Sequence, residues 1–131
     1  MNTAYLDDLP ALPAVKGLHL REDEKVVFVA EPEMVGTEKD RLLGMGPDFI
    51  LTNRRLFINN RVGIWTMELA GDVSGWEKVE YKKLLGLAAG TYVAITLNTE
   101  IVYDNARQKL NGLRIYFNKT DLARFLSVCM P

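Results

Sequence analysis

Residues 49–59 read FILTNRRLFIN, and this stretch leaves the chain few folds to choose from. Two apolar runs flank a polar centre. A two-residue loop at Asn53-Arg54 sets Leu51 opposite Leu56, Ile50 opposite Phe57 and Phe49 opposite Ile58. Facing residues share a side of a sheet. One side then carries Phe49, Leu51, Leu56 and Ile58, all apolar, and the other carries Ile50, Thr52, Arg55 and Phe57. A slip of one residue destroys that partition, so the register supports itself. Asparagine tolerates the left-handed backbone of such turns. On this reading the two arginines sit at an exposed hairpin tip.

The remaining chain repeats the theme. EKVVFVAE (24–31) is rich in β-branched residues and predicts a first strand. The connection 32–46 is long and partly extended. A second hairpin through Asn59-Asn60 brings Trp65, Met67 and Leu69 back over Leu56 and Ile58, with Val62, Ile64, Thr66 and Glu68 outward. VSGWEKVEY (73–81) predicts a strand with Gly75 as a bulge. KKLLGLAAG (82–90) reads as a loop. TYVAITLN (91–98) and EIVYD (100–104) read as strands reversing at Asn98-Thr99, NARQKLNG (105–112) as a polar excursion, and LRIYF (113–117) as the last strand. Leu122, Phe125, Leu126 and Cys129 fall at i, i+3, i+4 and i+7, one apolar stripe on a final helix. Asn118 or Thr120 can cap it.

Seven or eight short antiparallel strands closed by one amphipathic helix predict a mainly β domain over residues 21–131, a barrel plugged by its C-terminal helix. Residues 1–20 form an arm in which Pro10 and Pro13 prevent a regular helix. The arm either packs on the barrel or reaches a neighbouring subunit. Tyr5, Leu6, Leu9 and Leu12 have no evident slot within the domain, and Ile50, Phe57, Val62 and Ile64 on the outer side leave an apolar patch that needs a cover. These eight residues are the candidate interaction surface.

DEKVVF (23–28) and FILTNRRLFI (49–58) resemble the pleckstrin-homology-like family, especially its bacterial and GRAM-type branches. The second stretch is similar to that family's aromatic-x-Leu-Thr-Asn-(Lys/Arg)-Arg-Leu signature. The resemblance covers roughly residues 20–130, and residues 100–117 depart from it. It implies a PH-like barrel and a non-catalytic module that binds lipid head groups, peptides or proteins, or that self-assembles.

Charge and chemistry narrow the choice. The 131 residues carry net charge −1, so no global field draws the chain to nucleic acid or to an anionic membrane. Residues 1–53 hold five Lys/Arg against ten Asp/Glu, and residues 54–131 hold eleven against seven, a polarity that reads first as a solvated surface with two differently charged ends and second as a basis for head-to-tail contact. The first inter-strand connection is acidic, with Glu31, Glu33, Glu38 and Asp40, which disfavours phosphoinositides. The remaining candidate anionic-ligand patch is Arg54, Arg55, Arg61, Lys82 and Lys83. It could meet an anionic lipid surface. With one histidine, His19, and one cysteine, Cys129, the sequence offers no nucleophilic pair and no metal-ligand spacing. No catalytic residue, cofactor or metal is expected, and a small enzyme whose site one sequence does not reveal is the lesser alternative. The lone cysteine, the absence of a basic signal segment and the absence of a long apolar run suit a cytoplasmic protein without a transmembrane segment. The expected partner is therefore a protein, foremost a second copy.

Overall fold

The computed structural model describes residues 1–37, 48–60, 63–81, 90–103 and 106–130. Among these residues, eight strands precede one α-helix. They are β1 (Val26–Ala30), β2 (Met34–Thr37), β3 (Asp48–Thr52), β4 (Arg55–Asn60), β5 (Gly63–Glu68), β6 (Val73–Tyr81), β7 (Gly90–Tyr103) and β8 (Ala106–Tyr116), then α1 (Lys119–Cys129). All pairings are antiparallel and build two four-stranded sheets, ordered β1-β3-β4-β5 and β2-β8-β7-β6. The expected closed barrel is thus corrected to two open sheets among the described residues. The chain passes from one sheet to the other at residues 31–33, where the buried Pro32 has no N–H for a ladder.

The hairpin register is the one the sequence dictates: Leu51↔Leu56, Ile50↔Phe57 and Phe49↔Ile58. Phe49, Leu51, Leu56 and Ile58 are fully buried, and Met67 of β5 and Leu69 just after it join them. Trp65 packs against the same core half-buried. The bulge at Gly75 appears as a register shift between Val73 and Gly75.

Two turns fall elsewhere than expected. Asn59 and Asn60 are strand residues, because the β4–β5 ladder continues to Asn60↔Gly63. Asn98 and Thr99 do not reverse the chain. β7 runs through them with only a register shift, and the stretch read as a polar excursion is the first half of β8, paired from Tyr103↔Ala106 onward. Backbone ladders need no apolar side chains, so a polar strand beside an established partner is invisible to periodicity.

Helix α1 begins where Asn118 Oδ1 accepts the Asp121 N–H at 2.8 Å. Its buried residues are Phe125 and Cys129, while Leu126 is half-buried. The Phe125 ring meets Phe28, Phe49, Trp76 and Phe117 at centroid separations of 5.4–5.9 Å. Phe28 and Phe49 come from one sheet, Trp76 from the other, and Phe117 follows β8. The helix therefore ties both sheets together through one ring.

The arm belongs to the same body. Residues Ala4–Asp8 form a 3₁₀ turn that buries Leu6 completely. The Tyr5 hydroxyl and the Trp76 Nε1–H both donate to the Cys129 carbonyl, which α1 leaves without a helical partner. Burial pushes the Cys129 thiol up to about 12. We expect no reaction with a disulfide reagent at pH 8 in the native protein and one thiol per chain after unfolding. Rapid labelling of the folded chain would contradict this placement.

Candidate functional site

The signature stretches 23–25 and 52–55 fold onto each other. Glu24, with a fully buried side chain, accepts Arg55 Nε at 2.9 Å and Arg55 Nη2 at 2.5 Å, a two-pronged ion pair. It also accepts the Thr52 hydroxyl at 2.6 Å and the Arg21 amide at 3.0 Å. Thr52 Oγ1 in turn accepts the amides of Arg54 and Arg55, which fixes the tip. The Asn53 side chain accepts Lys25 N–H at 2.8 Å and donates to Asp7 Oδ1 and the Asp23 carbonyl. Arg54 pairs with Asp23 at 2.9 Å. Each polar residue of the motif is bonded to the chain before β1 or to the arm, so the tip works as a clasp.

That result corrects the expected exposure of Arg55. Its side chain is 14% exposed, against 41% for Arg54, and its guanidinium lies 4.7 Å above the Phe57 ring. Arg61, Lys82 and Lys83 of the candidate patch lie outside the described residues. The two arginines that the structure does place already hold carboxylates.

Burial opposes ionisation of Glu24, but the bonds from Arg55, Thr52 and Arg21 outweigh it and hold the carboxyl down at about 2. A carboxyl lowered on folding stabilises the native state at every pH above its unfolded value of 4.5, and that contribution is lost as pH falls toward 2. The loss amounts to about 3 kcal/mol. Urea denaturation between pH 5 and pH 2 should show it, and Glu24→Gln should flatten the slope. An unchanged slope in Glu24→Gln would contradict the assignment.

The candidate interaction surface is mostly covered from within. Ile50 and Phe57 form a second buried cluster with Val26, and the arm residues Val15, Leu18 and Leu20 pack over it. Leu6 is buried, and Tyr5 and Leu9 pack on the main core. The open patch expected there is corrected: the arm's own residues fill it, a match that sequence spacing does not reveal. Leu12 and Ile64 remain exposed, at 38% and 50%. Val62 lies outside the described residues.

Among the described residues, two of the concavities that border α1 lie along its length and at its start. A groove of about 470 Å³ runs between the arm and the helix, with Leu9, Pro10 and Leu12 on one wall, Ala123, Arg124 and Val128 on the other, and Val27 and Phe28 between. A cavity of about 360 Å³ lies at the start of the helix, lined by Glu33, Tyr81, Thr91, Tyr116, Lys119 and Leu122 among others. Beside it, Tyr81, Tyr92 and Tyr116 stand across three adjacent strands with ring centroids 5.4–6.2 Å apart. The Tyr81 ring lies against Gly90, where a Cβ would come within 2.3 Å of its hydroxyl, so any side chain there would displace the ring. Arg114 stacks on Tyr92 at 5.3 Å. All three tyrosines are half-buried, and burial raises the Tyr116 hydroxyl pKa against the opposing pull of Arg114.

Sequence reasoning passed over this rank. The signal was present, since Tyr92 and Tyr116 each adjoin a core residue, Val93 and Ile115, and so point outward. No helix among the described residues is long and apolar enough to cross a membrane. Comparison with family models, curated proteins and solved structures finds no match to this chain.

Proposed function

We propose that this chain is a non-catalytic, pleckstrin-homology-like module that works by binding a protein surface, foremost that of a second copy. The fold supports the family reading: β1 and β2 are nearly continuous and serve one sheet each, and a single C-terminal helix packs on the aromatic centre between the sheets. Glu24, Thr52 and Arg55 are bonded to one another, and the Cys129 thiol is buried and protonated. The pairing of Arg54 with Asp23 and of Arg55 with Glu24 speaks against an anionic lipid surface as the ligand.

The observation that carries the proposal is the tyrosine rank beside an open cavity on the outer side of β6, β7 and β8. Tyrosine offers large, rigid contact area with a polar tip, and it is enriched where proteins meet. Sedimentation velocity from micromolar to millimolar concentration tests the reading. We expect a concentration-dependent rise in mass that Tyr92→Ser with Tyr116→Ser suppresses while the circular dichroism stays native. A strict monomer across the range would overturn self-association.

A further inference from the structure

We propose that the cavity at Tyr81 and Tyr116 of one copy receives the segment LPALPA, residues 9–14, of a second copy. This rests on the protein-binding reading above and names the occupant of that site.

The segment has the sequence of a polyproline II ligand. Leu9 has φ −77° and ψ 150°, the polyproline II values. A residue before proline is held out of the helical region, and this applies to Leu9 before Pro10 and to Leu12 before Pro13. Polyproline II repeats every three residues. Leu9, Leu12 and Val15 therefore share one edge, Pro10 and Pro13 a second, and Ala11 and Ala14 a third. On the first edge Leu9 and Val15 pack on the two cores, and the Leu12 amide donates to the Val26 carbonyl at 2.8 Å while its side chain stays exposed. Pro10, Ala11, Pro13 and Ala14 are all exposed. Two proline rings, one turn apart, are thus presented outward.

The cavity has what such a ligand requires. Proline-rich segments dock in aromatic-lined grooves, where rings take the prolines and hydroxyls reach the carbonyls between them. Tyr81 and Tyr116 supply both. Lys119 and Glu33 line the same cavity, and neither side chain has an ion pair or hydrogen bond among the described residues. The segment is flanked by Asp8 before and Lys16 after, both exposed and equally without partners among the described residues. Charge complementarity therefore sets Asp8 toward Lys119.

The contact has to form between copies. Buried Leu6 and the Leu12–Val26 hydrogen bond hold the segment beside residues 123–128 of α1, whereas the cavity lies at residues 118–122. A segment of one copy in a cavity of the next is a head-to-tail contact, which closes into a ring or propagates as a filament.

A synthetic peptide of residues 7–16, DDLPALPAVK, tests the assignment in titration against the ¹⁵N-labelled full chain. We expect saturable shifts at Tyr81, Tyr116 and Lys119 and loss of the concentration-dependent mass. The peptide with Pro10→Ala and Pro13→Ala should bind about tenfold more weakly or worse. The full chain carrying both changes should melt like the parent, since both sites are exposed, and should sediment as a monomer. Lys119→Glu should weaken association and Asp8→Lys should restore it in that background. An inert peptide with a chain that still associates would overturn this inference and leave the protein-binding reading standing. A chain that neither associates nor binds the peptide would overturn both.

Discussion

Arg55→Ala is expected to destabilise the protein by about 3–5 kcal/mol, because it strands a buried carboxylate. Glu24 has no exposed side-chain surface, and Arg55 supplies both the charge and two of its hydrogen bonds. The remaining donors, Thr52 and the Arg21 amide, are neutral. The neighbouring Arg54 is the internal control. It is half-exposed and pairs with an exposed Asp23, so Arg54→Ala should change stability by less than about 0.5 kcal/mol. Urea unfolding of the two variants side by side checks the contrast. Equal losses would mean that the two arginines play one role, as an exposed ligand patch requires.

Phe125→Ala is expected to cost about 3–5 kcal/mol and to lower the melting temperature by roughly 10–20 °C. The ring is fully buried and touches four other aromatic rings drawn from both sheets and the end of β8. Three of these contacts, with Phe28, Phe49 and Trp76, are edge-to-face, and such pairs add about 0.5–1.5 kcal/mol each beyond burial. Removal leaves a void that the rigid strands around it cannot collapse to fill. A melt of Phe125→Ala matching the parent would refute the role of α1 as the tie between the sheets. Phe125→Leu, which keeps most of the volume, should lose less.

The part of the fold that the sequence exposes is the part governed by alternation. Phe49, Leu51, Leu56 and Ile58 declare their side of the sheet because one register alone makes it wholly apolar, and the structure adopts that register. The stripe ending in Phe125 and Cys129 declares α1 in the same way. What stays hidden depends on contacts distant in sequence. The ion pair of Arg55 with Glu24 spans 31 residues, so an arginine at a turn reads as exposed until β1 is laid beside β3. The arm reads as unplaced because its slots belong to two separate cores. The first half of β8 is polar, and only its ladder with β7 makes it a strand.

The same distinction divides the candidate site. DEK at 23–25 and TNRR at 52–55 stand out in the sequence, and the structure explains why they occur together: they bond to each other. Their prominence marks a structural clasp. The tyrosine rank is quiet in the sequence because its members lie on three strands and meet only when β6, β7 and β8 pair. Pro10 and Pro13 read as helix breakers, and their exposure appears only once Leu6 and Leu9 are seen packed on the core.

A dilution series followed residue by residue in ¹H–¹⁵N spectra tests the central claim most directly, that the clasp holds the fold and the tyrosine face does the binding. The amides of Tyr81, Tyr92 and Tyr116 should shift with concentration, while those of Thr52, Asn53, Arg54 and Arg55 should stay fixed. Concentration-dependent shifts at residues 52–55, with the three tyrosines unmoved, would contradict the account.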